Sequence, residues 1–214
     1  MLFRSHWIKI KDHWEKTVRE EDVVLIPGDI SWASSLSMVS KDLYEIGSMK
    51  GRKIIIRGNH DYWCSSSTGL GKIRNIMPQN MYFLRNDAIK LGKYIFCGTR
   101  GWTVPENNIQ ITNQDEKILN REVSRMKTSL DAASRLIEDK EDVLIAMIHY
   151  PPFNSMYENS VFTKLFKNYG VRKVVYGHIH GQTSKSTLNF SKEGIEYYLL
   201  SCDLRDNKLT LIAE

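Results

Sequence analysis

Polar residues that could bind a metal ion or a phosphate follow a short apolar run of the sequence, at the point where the run stops. The run Lys53–Arg57 has the branched, apolar character of a buried strand, and it is followed by Asn59, His60 and Asp61. An amide, an imidazole and a carboxylate in succession are poorly suited to a hydrophobic core, since each would need a buried polar partner. Their types and spacing therefore indicate a binding site.

Three other apolar runs end in the same way. The potential ligands that follow them are Asp29 after residues 22–27, His149 after residues 142–148, and His178 and His180 after residues 171–176. In open α/β sheets, binding groups gather just beyond the carboxyl ends of the strands. We therefore expect these side chains to meet Asn59 and His60 at one edge of the sheet system.

The expected set offers carboxylate oxygen, amide oxygen and imidazole nitrogen, and it contains no sulfur. Such donors suit Mn²⁺, iron or Zn²⁺ rather than a structural thiolate site. Each member also has an ordinary explanation on its own: Gly28-Asp29 is typical of a turn, and His149 before two prolines could be a packing residue. All of these explanations would have to hold together, so a metal site is the better prediction.

The hydrophobic pattern places the four runs in an α/β fold. Apolar residues recur at helical spacing over about residues 5–20, 36–48, 113–139 and 162–169. Helices alternate with apolar runs, as in βαβ units. Short strands are predicted over 82–84, 88–91 and 94–97 as a meander, and further strands over 186–190, 195–200 and 208–212. We expect a mixed sheet system in one domain spanning residues 1–214.

The composition is that of an ordinary globular protein, with 42% hydrophobic and 26% charged residues. The net charge of +5 comes from 30 basic and 25 acidic residues scattered along the chain. A solvated surface explains this balance better than a nucleic-acid groove. The alternative is a local basic patch, which would consist of Lys164, Lys167, Arg172, Lys173 and Lys185.

Cysteine usage and apolar run lengths bear on the compartment. Cys64, Cys97 and Cys202 are far apart and form no C-x-x-C pair, which argues against a thiolate zinc site and suits a reducing environment. The N-terminus lacks the apolar region of a secretory signal, and no run approaches the roughly 18 apolar residues that span a bilayer. We expect a cytoplasmic protein that does not associate with membranes.

The chain resembles the calcineurin-like metallophosphoesterases from about residue 22 to residue 182, on the strength of four motifs in the family's order. These are Gly28-Asp29, Gly58-Asn59-His60-Asp61, His149, and Gly177-His178-Ile179-His180. The resemblance implies a four-layer α/β sandwich with two mixed β-sheets flanked by helices. It also implies a metal-dependent phosphoric ester hydrolase, which cleaves a small phosphomonoester or phosphodiester with a metal-activated hydroxide.

The resemblance gives each matching ligand a role. Asp29 would bridge two divalent metal ions. Asn59, His149 and His178 would complete the shell of one ion, and His180 would bind the other.

The resemblance also implies the catalytic residues. His60, together with Asn59, would contact the phosphate, and His60 would protonate or stabilise the leaving oxygen. Asp61 would orient His60 by accepting a hydrogen bond from its ring.

One motif of the family is missing. Family members carry an Asp-x-His motif after a first strand near the N-terminus, and this sequence has none. Either that strand has been lost from this chain, or the first metal site is genuinely incomplete, with only Asp29 and His180. In both cases the first ion should bind weakly. Loss of a strand would also open a sheet edge, so we expect low stability or a homo-oligomer.

The missing motif keeps a second function open. The chain could be a catalytically silent member of the family that serves as a scaffold for protein interaction. The intact pair His60-Asp61 argues against this alternative.

Overall fold

The computed structural model describes residues 2–65, 68–107, 109–181 and 186–214. Within these ranges the α-helices are α1 (Leu2–Thr17), α2 (Leu36–Gly47), α3 (Leu70–Ile76), α4 (Asn113–Ser134) and α5 (Val161–Asn168). The strands are β1 (Val23–Ile26), β2 (Arg52–Ile55), β3 (Met81–Phe83), β4 (Ala88–Leu91), β5 (Tyr94–Thr99), β6 (Val143–Ile148), β7 (Lys173–Tyr176), β8 (Asn189–Lys192) and β9 (Ile195–Leu199).

The described strands form two sheets. The smaller sheet has the order β1-β2-β3, and its strands are parallel. The larger sheet has the order β4-β5-β6-β7-β9-β8, in which the edge strands β4 and β8 run antiparallel to their neighbours. The expected α/β fold with two sheets flanked by helices is confirmed. The larger sheet is mixed, as expected, and the smaller one is parallel across its described strands.

Strand alternation produces the layers, because successive side chains point to opposite faces of a sheet. In β6, Leu144, Ala146 and Ile148 pack against the helices α4 and α5. The residues between them, Ile145 and Met147, pack against the smaller sheet. Both faces are therefore apolar, and burying one such side chain stabilises the fold by roughly 1.5–3 kcal/mol.

Helices cover the outer face of each sheet. Met126 and Leu130 of α4 are fully buried against the larger sheet. Val39 and Leu43 of α2, with Ile73 of α3, are fully buried against the smaller sheet. The order of layers is thus helices, smaller sheet, larger sheet, helices.

The predicted meander over residues 82–97 is wrong in its first strand. β3 pairs in parallel with β2, with Ile54 opposite Tyr82, so it belongs to the smaller sheet. Helix α3 makes the crossover that a parallel pair requires. This helix has only seven residues and one fully buried side chain, Ile73, so its periodicity is too short to recognise. Only β4 and β5 form the predicted hairpin.

Two other boundaries differ from the prediction. Helix α4 ends at Ser134 instead of near residue 139, and Ile137 beyond its end is 46% exposed. Residues 208–212 form no strand. An alternating pattern alone does not make a strand, because a strand also needs a neighbouring strand to pair with.

Candidate metal centre

The two sheets bring four of the predicted ligands to one edge. Asp29 and Asn59 follow β1 and β2, which are neighbours in the smaller sheet. His149 and His178 follow β6 and β7, which are neighbours in the larger sheet. Each pair of strands is parallel, so both members of the pair end at the same edge.

The distances show that these four side chains converge. The Nε2 atom of His149 lies 2.6 Å from Oδ1 of Asn59 and 3.5 Å from Oδ2 of Asp29. The Nδ1 atom of His178 lies 2.9 Å from the same oxygen of Asn59. The two imidazole rings meet edge to face, with 5.1 Å between their centroids. The described structure therefore contains a compact cluster of two oxygen and two nitrogen donors.

His149 is held in the orientation that a metal ligand needs. Its side chain is 1% exposed, and Nδ1 lies 2.8 Å from the carbonyl oxygen of Pro27. A carbonyl can only accept, so the proton is on Nδ1 and the lone pair of Nε2 points at Asn59. Burial lowers the pKa of His149, partly opposed by the nearby carboxylate of Asp29. The ring is therefore neutral at pH 7.

The backbone is strained at both His178 and Asp29. Both adopt left-handed conformations, with φ of 72° at His178 and 54° at Asp29. Such φ values are uncommon for residues other than glycine, and they concentrate at functional sites. Burial, followed by the neighbouring His149, lowers the pKa of His178 to about 4. His178 is thus a second neutral imidazole in the cluster.

The chemistry of this cluster fits a divalent cation. With its proton on Nδ1, His149 presents a lone pair to Oδ1 of Asn59, which also carries lone pairs, at 2.6 Å. A nitrogen lone pair beside an amide oxygen and a carboxylate is a donor set that a divalent cation can bind. The carboxylate of Asp29 supplies the negative charge that such an ion requires.

His180 lies beside Asp203, a residue that was not predicted to belong to the site. Its Nδ1 atom is 2.9 Å from Oδ1 of Asp203, and the other oxygen of Asp203 accepts a 2.7 Å hydrogen bond from the backbone of Gly181. Asp203 comes from a short 3-10 turn, Asp203–Arg205, 23 residues further along the chain. No motif marks this residue, so only the folded structure could identify it.

The donors divide unevenly between the two expected ions. Asp29, Asn59, His149 and His178 are together, while His180 contacts Asp203 instead. Across the described ranges, no group of three or more His, Cys, Asp or Glu side chains is placed to hold a metal ion. The cluster of four donors includes an amide, that of Asn59.

The predicted contact between Asp61 and the ring of His60 is wrong. Asp61 is fully buried, and Oδ1 accepts hydrogen bonds from the backbones of Ile30 and Ser31 and from the indole of Trp63, at 2.9–3.0 Å. Its Oδ2 atom accepts a 2.8 Å bond from the backbone of Gly58. Burial raises the pKa of Asp61, partly offset by these donors. Asp61 thus ties together the loops after β1 and β2.

His60 is oriented by aromatic neighbours. Its ring stacks on Trp32, with 4.8 Å between centroids and 12° between planes. Its Nδ1 atom lies 3.1 Å from the hydroxyl of Tyr62. The backbone N–H of His60 donates a 2.8 Å hydrogen bond to Oδ1 of Asp29, which ties this loop to the cluster.

A cavity of about 400 Å³ opens beside His178. Aromatic rings form much of its wall, from Tyr150, Phe153, Tyr157 and Tyr176. A cavity of this size holds a drug-sized organic molecule. The candidate centre therefore has an apolar space next to it.

Replacing Gly28 with alanine is expected to lower the free energy of unfolding by about 2–4 kcal/mol. Gly28 has a φ of 97°, and a Cβ atom there would lie 2.6 Å from the backbone N of Gly58 and 2.8 Å from Nδ1 of His149. Gly194→Ala is the matched control, because Gly194 has a φ of 81° and nothing within 4 Å of its Cβ position. Urea denaturation of both variants separates close packing from backbone strain, and equal losses would contradict the prediction.

The basic residues of the alternative patch are partly neutralised by carboxylates. Lys167 pairs with Glu193 at 3.0 Å, and Lys173 pairs with Glu196 at 2.7 Å. Lys185 lies outside the described residues. Among the helices that the structure describes, none has the length and apolar character needed to cross a bilayer.

Comparisons with known proteins agree with this architecture. The crystal structure of TT1561 of Thermus thermophilus superposes with a TM-score of 0.64 and 14% sequence identity, covering 98% of this chain and 93% of that one. Another crystal structure superposes with a TM-score of 0.55 and 11% identity, covering 91% of this chain and 84% of that one. No curated protein matches by sequence. Identities this low show a shared fold alone.

Sequence comparison at the level of families is more specific. The model of the calcineurin-like phosphoesterases matches residues 5–182, which is most of the chain and includes every residue of the cluster described above. The chain therefore belongs to the calcineurin-like phosphoesterase family.

Proposed function

We propose that this protein hydrolyses phosphoesters with divalent metal ions bound at the Asp29 cluster. The observation that carries the proposal is the convergence of two imidazoles, an amide and a carboxylate, with Nε2 of His149 2.6 Å from the amide of Asn59 and 3.5 Å from Oδ2 of Asp29. A cation would bind these donors together, and membership of a phosphoesterase family supports the reaction. Mn²⁺, iron and Zn²⁺ all suit the donors.

The residues of the cluster would hold one ion firmly. Asp29, Asn59, His149 and His178 would bind it, with Pro27 fixing the ring of His149. A bound ion would act as a Lewis acid on the phosphoryl group and would supply a reactive water at neutral pH. We propose that His180, with Asp29, holds a second ion less tightly, because His180 is half exposed and contacts Asp203.

His60 would contact the phosphate and give a proton to the leaving oxygen. Stacking on Trp32 fixes the plane of the imidazole, and the Tyr62 hydroxyl occupies Nδ1. Among the described residues Nε2 has no hydrogen-bond partner, so it is the nitrogen that would face the substrate. General acid help of this kind contributes roughly 10²–10⁴-fold to a rate. Asp61 would act as a positioning residue through the loop backbone.

The organic part of the substrate would occupy the cavity beside His178. Its aromatic walls, including Tyr150 and Phe153, favour an apolar or aromatic group over a strongly charged one. The cluster and this cavity share His178, so an ester whose phosphate reaches the ions would place its organic group there.

Chelation and reloading test the proposed function. We expect protein freed of metal with EDTA to be inactive towards p-nitrophenyl phosphate and bis-p-nitrophenyl phosphate, and Mn²⁺ to restore turnover of at least one of them. The same titration should raise the thermal midpoint, because an ion that binds only the folded state stabilises it. Absence of turnover with Mn²⁺, Fe²⁺ and Zn²⁺, with an unchanged melting curve, would reject the hydrolase and favour the scaffold alternative.

A further inference from the structure

A second cavity, apart from the metal cluster, is lined by arginines. Arg57 follows β2, Arg85 follows β3, Arg100 follows β5, and Arg125 lies on α4. Glu122 is the only carboxylate among the described residues that line this cavity. Four guanidinium groups thus surround one carboxylate in a partly open cavity, and that of Arg85 donates to the carbonyl oxygens of Thr68 and Ser65.

Glu122 is already satisfied by its neighbours. The side chain is fully buried; Oε1 lies 2.6 Å from Nη1 of Arg125 and 3.5 Å from Nη2 of Arg100, and Oε2 accepts a 3.0 Å hydrogen bond from Thr99. Its charge is therefore committed to Arg125 and Arg100. No carboxylate of the described ranges pairs with Arg57.

Two arginine N–H donors at this cavity lack an acceptor among the described residues. The Nε atoms of Arg57 and Arg100 are buried, and neither has a hydrogen-bond partner among the described residues. A buried donor without an acceptor costs free energy, and more when it is charged. An acceptor with negative charge would remove this cost.

The size of the cavity limits what the acceptor can be. The cavity has a volume of about 40 Å³. A single water needs about 10–15 Å³ by the same measure, so the space suits roughly three waters or one tetrahedral oxyanion. Planar guanidinium groups bind phosphate through paired N–H groups, which makes arginine the preferred residue for that ligand.

Two arginines of the cavity are linked through the backbone to residues of the candidate metal centre. Arg57 is two residues before Asn59, and the carbonyl of Arg100 accepts 3.0 Å hydrogen bonds from the backbones of His149 and Tyr150. The cavity therefore lies along the same edge of the sheets. We propose that it binds a phosphate group, supplied either as free inorganic phosphate or as a second phosphate of the substrate.

Calorimetric titration with inorganic phosphate in the presence of EDTA tests the site without any contribution from bound metal. We expect saturable binding to the wild type, weakened about 10- to 100-fold in Arg57→Gln, the effect of losing one charge-assisted hydrogen bond. Arg135→Gln is the matched control, since Arg135 carries the same charge on the exposed end of α4 and does not line the cavity. It should bind phosphate like the wild type.

Several results would overturn the site. Failure of the wild type to bind phosphate, undiminished binding by Arg57→Gln, or equal weakening by Arg135→Gln would each do so. Arg57→Lys guards against misfolding of the glutamine variant, because it keeps the charge and loses only the planar fork. Its affinity should lie between those of the wild type and Arg57→Gln, and an affinity equal to that of the wild type would contradict phosphate recognition by the fork.

A kinetic comparison identifies the source of the phosphate, and this part alone rests on the proposed function. With Mn²⁺ present, kcat/KM is measured for esters that differ by one additional phosphate group. A preference for the doubly phosphorylated ester that Arg57→Gln abolishes assigns the cavity to the substrate. Inhibition by free phosphate that Arg57→Gln relieves, without such a preference, assigns it to inorganic phosphate. Complete absence of turnover would reject the hydrolase, while calorimetry would still decide the phosphate site.

Discussion

His149→Ala is expected to reduce metal-stimulated phosphoester hydrolysis by at least about 10²–10³-fold in kcat/KM, the loss caused by removing one preorganised group from an active site. His149 joins the two sheets at the cluster, because its Nδ1 contacts Pro27 after β1 and its Nε2 faces Asn59 after β2. Alanine removes both contacts and one nitrogen donor of the cluster. Turnover of p-nitrophenyl phosphate over a Mn²⁺ titration measures the effect.

His6→Ala is the control for this experiment. His6 lies in α1, is outside the cluster and has no described hydrogen bond to it. Its kcat/KM and Mn²⁺ dependence should match those of the wild type. Far-UV circular dichroism and the Mn²⁺-induced rise in melting temperature then distinguish a lost ligand from a lost fold. A folded His149→Ala variant with wild-type turnover would exclude the cluster as the catalytic centre.

Asp61→Asn is expected to lower the free energy of unfolding by about 2–4 kcal/mol, because a buried donor without an acceptor costs about 1–3 kcal/mol and a lost charge adds to this. The asparagine oxygen could keep the bonds from Ile30, Ser31 and Trp63. Its NH₂ group would then face the backbone N–H of Gly58, so that two donors oppose each other. Urea denaturation measures the change.

Asp12→Asn provides the comparison for Asp61→Asn. Asp12 is 63% exposed and, within the part of the chain that the structure describes, pairs only with Lys16, in an i,i+4 arrangement on α1. Exposed pairs of this kind contribute little, so the change in stability should be close to the error of measurement. The Asp61 variant should also lose Mn²⁺ affinity, since Gly58 and Asn59 belong to the loop that Asp61 holds. Equal stability of the two variants would show that the buried carboxylate is not structural.

The four residues of the cluster were predictable because their signals are local. Each follows a short, branched apolar run, and a run that ends in a polar side chain is visible in the chain itself. Four such ends also predicted that the ligands meet, since parallel strands end at one edge. The structure places Asp29, Asn59, His149 and His178 within contact distance of one another, as that reasoning expected.

The partners of these residues were not predictable, because they depend on packing between distant segments. Asp61 was expected to hold the ring of His60, but it accepts N–H groups from two loops 30 residues apart. Asp203 meets His180 through a turn at the far end of the chain. The sheet to which β3 belongs was not predictable either, because it depends on the short crossover helix α3 and not on the pattern of β3 itself.

The sequence by itself determined the fold class and the chemical character of the cluster, since strand periodicity and donor types are properties of the chain. Only the tertiary structure decided which acceptor each donor meets. The arginine cavity is the clearest example: three of its arginines follow different strands and the fourth lies on a helix, so no sequence pattern shows that they meet. Their excess charge appears only when the two sheets bring them around one buried carboxylate.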